Sequence, residues 1–106
     1  MAKGGFPGMG GANMQQLMRQ AQKMQQDMQR AQEELQRREF SSTAGGGMVT
    51  ATVSGARELT GITISPDCVD PDDVEMLQDL VMAAVNGALH EAAETTEREM
   101  GRITGG

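Results

Sequence analysis

Between Met14 and Leu35 seven apolar side chains recur at alternating steps of three and four: Met14, Leu17, Ala21, Met24, Met28, Ala31 and Leu35. Met18 is the only other strongly apolar residue in this stretch, and everything between is Gln, Arg, Lys, Asp or Glu. That spacing writes one narrow stripe along a single long helix. From Asn13, which can serve as its cap, to Arg38 the helix would run roughly 39 Å at about 1.5 Å per residue. A stripe of that length needs an equally long surface to lie against, and 106 residues offer few. The chain is therefore expected to have a partner.

The composition points the same way. A chain of this length makes one domain with modest stability in reserve. Its only aromatic residues are Phe6 and Phe40, so the core must come from Met, Val, Leu, Ile and Ala, and the ten Met favour adaptable packing. Cys68 is the single cysteine, which rules out an internal disulfide or a cysteine metal cluster and suits a reducing compartment. Lys3 is followed by a Gly-rich stretch without the apolar run of a signal peptide, and no window reaches the length of a membrane span. A cytoplasmic protein is expected.

Charge is unevenly spread. Residues 1–40 hold six basic groups (Lys3, Arg19, Lys23, Arg30, Arg37, Arg38) against four acidic ones, whereas residues 41–106 hold three basic groups against eleven acidic ones. The net charge of −6 therefore says little about what one surface attracts.

The domain pattern is a flexible Gly-rich tail over 1–12, a single domain over 13–100, and a second flexible tail over 101–106. Within the domain, Phe40 to Ala44 reads as a first strand and Gly45-Gly46-Gly47 as a turn. Met48 to Ser54 is a second strand with Val49, Ala51 and Val53 on one face, and Thr50, Thr52 and Ser54 on the other. After a tight connection at Gly55 to Glu58, Leu59 to Ser65 makes a third strand closed by Pro66. Asp70-Pro71-Asp72-Asp73 supplies a cap, a proline and first-turn acids for a second helix. Its stripe is Val74, Leu77, Val81, Ala84, Val85 and Ala88; beyond His90 it thins, and the helix is expected to fray or project. Short strands cannot cover the whole first helix, and a three-stranded sheet leaves edges, so a symmetric homodimer is expected.

The Met/Gln-rich helix, the segment Gly47-Met48-Val49-Thr50-Ala51-Thr52-Val53-Ser54-Gly55, the segment Leu59-Thr60-Gly61-Ile62-Thr63-Ile64-Ser65-Pro66, and Asp73 to Val81 followed by Ala84-Val85-Asn86-Gly87-Ala88 together resemble the YbaB/EbfC family of bacterial nucleoid-associated proteins. The resemblance covers about residues 3–100. It implies an α+β chain of order α-β-β-β-α that dimerises into a tweezer-like shape and binds double-stranded DNA with weak or no sequence preference. It also implies a role in nucleoid organisation or gene regulation, and location in the nucleoid. The end of the last helix departs from the family's usual basic character, with Glu91, Glu94, Glu97 and Glu99 against Arg98 and Arg102.

On the first helix Arg19, Lys23, Arg30 and Arg37 follow steps of four, seven and seven, which lines them opposite the apolar seam. Such a stripe can track phosphates, with the flanking Gln residues adding neutral hydrogen bonds. It can equally be a solvated face with local ion pairs such as Arg30 with Glu34. The seam itself fits a free coiled coil or, better given the small Ala21 and Ala31, packing within a dimer.

The remaining motifs suggest no chemistry. The acidic run Asp67 to Glu75 lacks the ligand spacing of a calcium loop and reads as helix capping, and Gly45-Gly46-Gly47 has no Lys-Ser/Thr after it. Cys68 and His90 stand alone of their kinds, so neither a metal site nor a nucleophile pair is expected, and no cofactor or small-molecule substrate. A DNA-binding homodimer is the leading reading and not an enzyme; the alternative is a protein-protein interaction module using the Met/Gln-rich helix.

Overall fold

The structure, a computed structural model, describes residues 5–104. The chain order is α1 (Gly5–Arg37), β1 (Glu39–Ala44), β2 (Val49–Ser54), β3 (Leu59–Ile64), a 3-10 turn (Pro66–Cys68) and α2 (Val74–Ile103). The expected α-β-β-β-α architecture is therefore present, in a molecule with principal extents of 87 × 19 × 16 Å.

The three strands form an antiparallel meander in the order β1-β2-β3. Phe40 pairs with Val53 and Ser42 with Ala51 on one side of β2, and Ala51 pairs with Ile62 and Val49 with Ile64 on the other. Gly45, Gly46 and Gly47 all have positive φ (64°, 68° and 96°), which is why three glycines turn β1 into β2. The alternation in β2 is realised in full: Val49, Ala51 and Val53 are completely buried, while Thr50, Thr52 and Ser54 are half-buried on the opposite face. That opposite face is hydroxyl-rich, with Ser41 Oγ and Thr52 Oγ1 2.8 Å apart and Thr60 Oγ1 donating to Glu39 Oε2 at 3.0 Å.

Helix α2 lies across the apolar face, over β1 and β2. Its buried residues are Ala84, Ala88, Ala92 and Thr95, spaced so that small side chains meet the sheet once per turn. Phe40 and Val53 pack with Ala88 and Ala92, and Val49, Ala51 and Cys68 pack with Ala84. Small residues bring the helix close: a Cβ at Gly87 would collide with the Ser42 side chain on β1. The Cys68 thiol is sealed beneath this layer, donating to the Ser65 carbonyl at 3.1 Å.

Several boundaries differ from the sequence reading. Helix α1 begins at Gly5 and not at Asn13, so Asn13 is no cap and residues 5–12 are helix where a flexible tail was expected; residues 1–4 of that tail lie outside the described residues. Extending an existing helix needs no new nucleus, and Pro7 sits in the first turn, where its missing N–H is not needed. The cap of α2 is Asp73, whose carboxylate accepts from Met76 N at 3.2 Å, because Asp70 is occupied in a turn, accepting from Asp72 N at 2.9 Å. Nor does α2 fray after His90. It continues to Ile103, past the region 101–103 expected to be tail, with Ala92 and Thr95 buried; residues 105 and 106 lie outside the described residues.

The extra length of α2 decides how α1 is attached. Leu80 reaches the Gly45 turn, Ala88 and Ala92 sit on Phe40 and Val53, and Glu99 and Ile103 end beside Ala31 and Leu35 of α1. The last turns of α2 thus run antiparallel to the last turns of α1. Leu35 is buried there, and Gly55 lies so near that a Cβ would overlap the Leu35 carbonyl; its N–H donates to the Arg38 carbonyl at 2.9 Å. Upstream of Met28 the helix leaves the body. Residues 13–26 are exposed on every side, so α1 is an arm of about 33 Å (from Gly5 to Gln26, at 1.5 Å per residue) standing on a small α/β body.

Candidate nucleic-acid interface

Arg19, Lys23, Arg30 and Arg37 are all exposed on α1, and at about 100° per residue they fall within a strip some 40° wide, diametrically opposite the apolar seam. They span about 27 Å along the axis. Gln15, Gln22, Gln26 and Gln29, also exposed, border the strip along one side. The helix supplies a rail of cations and amides that no other element covers among the described residues.

The four cations are not equivalent. Arg30 pairs with Asp27, Nη1 to Oδ1 at 3.9 Å, and not with Glu34 as its spacing had suggested. Glu33 lies one turn from both Arg30 and Arg37 on the same side of the helix. Among the described residues, no carboxylate comes within salt-bridge distance of Arg19 or Lys23, so the upper arm is the more openly positive part. The Arg38 guanidinium is held at the base of the arm, 5.4 Å over the Phe40 ring.

Helix α2 is the electrostatic opposite. Glu91, Glu94 and Glu97 are exposed, and its basic groups are engaged locally: Arg102 with Glu99 at 3.6 Å, His90 with Glu94 at 2.9 Å, and Arg98 donating to Thr95 Oγ1 at 3.2 Å. A polyanion is attracted to the arm and repelled by the exposed side of α2. Among the described residues no group of three or more His, Cys, Asp or Glu is arranged to hold a metal ion, and no helix is long and apolar enough to cross a membrane.

Comparison with known proteins gives the family. Residues 9–106 match the YbaB/EbfC DNA-binding family. The chain belongs to the YbaB/EbfC family. It is similar to a nucleoid-associated protein of Clostridium acetobutylicum, 59% identical over 100% of this chain and 95% of that protein, and to one of Clostridium novyi, 60% identical over 100% and 94%. Another nucleoid-associated protein, from Alkaliphilus metalliredigens, is 57% identical over 100% and 94%. Among solved structures, an uncharacterized protein from Helicobacter pylori shares the fold with a TM-score of 0.69 at 23% identity, over 85% of this chain and 95% of that one. The YbaB/EbfC resemblance read from the sequence is thereby established, and with it a family of nucleoid-associated DNA-binding proteins.

A second surface of this YbaB/EbfC chain escaped the sequence reading. All six residues of β3 are exposed. Ile62 and Ile64 pair with Ala51 and Val49 and so face the same way as the core, yet they remain 42% and 37% exposed because α2 stops short of β3. Met82, 55% exposed, lines a further apolar cleft on α2 with Leu77, Gln78 and Val81. Alternation told which way Ile62 and Ile64 face; it carried no signal of what covers them.

Proposed function

We propose that this chain works as a homodimer that binds duplex DNA through Arg19, Lys23, Arg30 and Arg37, with weak or no sequence preference, and organises the nucleoid. The observation that carries the reading is the exposed basic strip on a projecting arm, in a chain that is otherwise acidic. Guanidinium and ammonium groups at steps of four and seven residues match phosphates, which carry no sequence information. The bordering glutamines can reach sugar, phosphate or base edges with neutral hydrogen bonds.

The homodimer reading rests on the bare apolar surface of Ile62, Ile64 and Met82, which a second copy would cover symmetrically. Burying such half-exposed side chains contributes on the order of 1 kcal/mol each. Met82→Glu should therefore convert a two-chain mass in sedimentation to a one-chain mass at micromolar concentration. A mass unchanged by Met82→Glu places the dimer contact elsewhere.

A dimer carrying eight strip cations neutralises at most about eight phosphates, so log K should fall with log salt by a slope of up to roughly 7, less for the encumbered Arg30 and Arg37. Micromolar-scale binding is expected at physiological salt. Mobility shift with random duplex DNA tests this: replacing all four cations by Gln should weaken binding about 100-fold or more at low salt and flatten the salt dependence. Unchanged binding would move the interface off the arm, and shift-free wild-type protein would favour the interaction-module reading of the same helix.

A further inference from the structure

The apolar side of the arm is the largest feature left without a role. Met14, Leu17, Met18 and Met24 are 60%, 59%, 60% and 46% exposed, on the side opposite the basic strip. We propose that this seam is a second self-association surface, on which the arm of another copy lies antiparallel, centred on Arg19, joining one homodimer to the next.

The spacing selects the kind of occupant. Steps of three and four average 3.5 residues, the period that keeps a seam facing another helix along its length; a sheet imposes no such repeat. The lower end of the seam already lies against a helix, since α1 and α2 are in contact there and Ala31 and Leu35 line one cleft with Glu99 and Ile103. Helix α2 ends at Ile103, and among the described residues the bare segment Met14 to Met24 takes up where that helix-on-helix contact stops. Of the two α-helices among the described residues, α2 is committed to the sheet, which leaves α1 of a second copy.

The bare segment is also complementary to itself. With two arms antiparallel and Arg19 at the centre, Met14 packs with Met24 of the second copy and Leu17 with Ala21, so large residues meet at the ends and a large one meets a small one inside. Met18 then flanks Met18 of the second copy on one side, and Gln20 flanks Gln20 on the other, so no like charges are opposed. The basic strips stay outward on both arms. A parallel pair would bring two bodies together on the seam side, where α2 already lies from Ala31 downward. The antiparallel pair puts them at opposite ends and sets the two helix dipoles head to tail.

Three turns of seam make a weak contact in isolation, so pairing depends on neighbouring dimers being held close, as on one stretch of DNA or on two adjacent duplexes. Two different symmetric contacts per chain, one on the body and one on the arm, carry assembly beyond the dimer, as an open string unless the two axes meet and close it.

Gln20→Cys tests this in the full chain, with the native chain and Gln26→Cys, on the outward face, as controls. With chains held close by a protein concentration on the order of 1 mM, a short bis-maleimide should link Gln20→Cys chains into pairs at least ten times more efficiently than Gln26→Cys. The link should disappear when Leu17→Gln and Met24→Gln are added, exposed changes that keep helix propensity, and should persist with Met82→Glu, which removes the body contact. Equal linking of Gln20→Cys and Gln26→Cys overturns the proposal. So does a link abolished by Met82→Glu, because the arms would then meet only inside the body-mediated dimer. The Met82→Glu mass, measured separately, tests the body dimer by itself.

Discussion

Helices α1 and α2 have nearly equal lengths, 33 and 30 residues, and each carries an apolar stripe, yet it is the stripe of small side chains that is buried. Ala84, Ala88 and Ala92 are sealed against the sheet, whereas Met14, Leu17 and Met24, each with several times the apolar surface, stand in solvent. Hydrophobicity alone did not select which helix the body keeps. Close approach did: alanines let α2 settle onto β1 and β2 over most of its length, while α1 touches the body only through its last turns. The helix with the larger stripe is the one left free, and its opposite face carries the cations.

The comparison breaks most visibly at Phe40. Truncating this buried ring by Phe40→Ala should cost about 4 kcal/mol in chemical denaturation, because Val53, Ala88 and Ala92 lose their shared neighbour. Next in size is the joint between body and arm. Gly55→Ala drives a methyl into the Leu35 carbonyl and should cost about 3 kcal/mol, with exchange of the amides near Leu35 and Arg38 accelerated more than those of Val49 to Val53. The smallest effect belongs to the arm itself: Leu17→Ala should change stability by no more than about 0.5 kcal/mol at low protein concentration. A cost for Leu17→Ala near that of Phe40→Ala would show that the arm folds as part of the body, and the contrast between the two helices would fall.

The strands and the turn were legible because their signals are local. Val49, Ala51 and Val53 alternate with hydroxylated residues, and three consecutive glycines with positive φ leave a hairpin little choice. The helix ends were less legible. Asp70, Pro71, Asp72 and Asp73 all offer starts, and the choice of Asp73 depends on the turn that Asp70 closes with Asp72. The persistence of α2 beyond His90 could not be read from Ala92 and Thr95, since such small side chains look unremarkable until Phe40 is placed beside Ala92. The basic strip was visible as spacing, but its inequality was not: Arg30 turns to Asp27 and away from Glu34.

Sequence by itself determined the element order, the faces of β2, the long seam and the cations across from it, because each follows from the period of a helix or strand. Only the tertiary structure decided what lies opposite each face. It set α2 over two strands and not three, leaving Ile62 and Ile64 open, and it stopped α2 beneath Ala31, leaving the seam bare from Met14 to Met24. Periodicity is a property of neighbouring residues, whereas coverage depends on the reach of elements far apart in the chain, and here 30 residues of α2 are enough to close the body but not the arm.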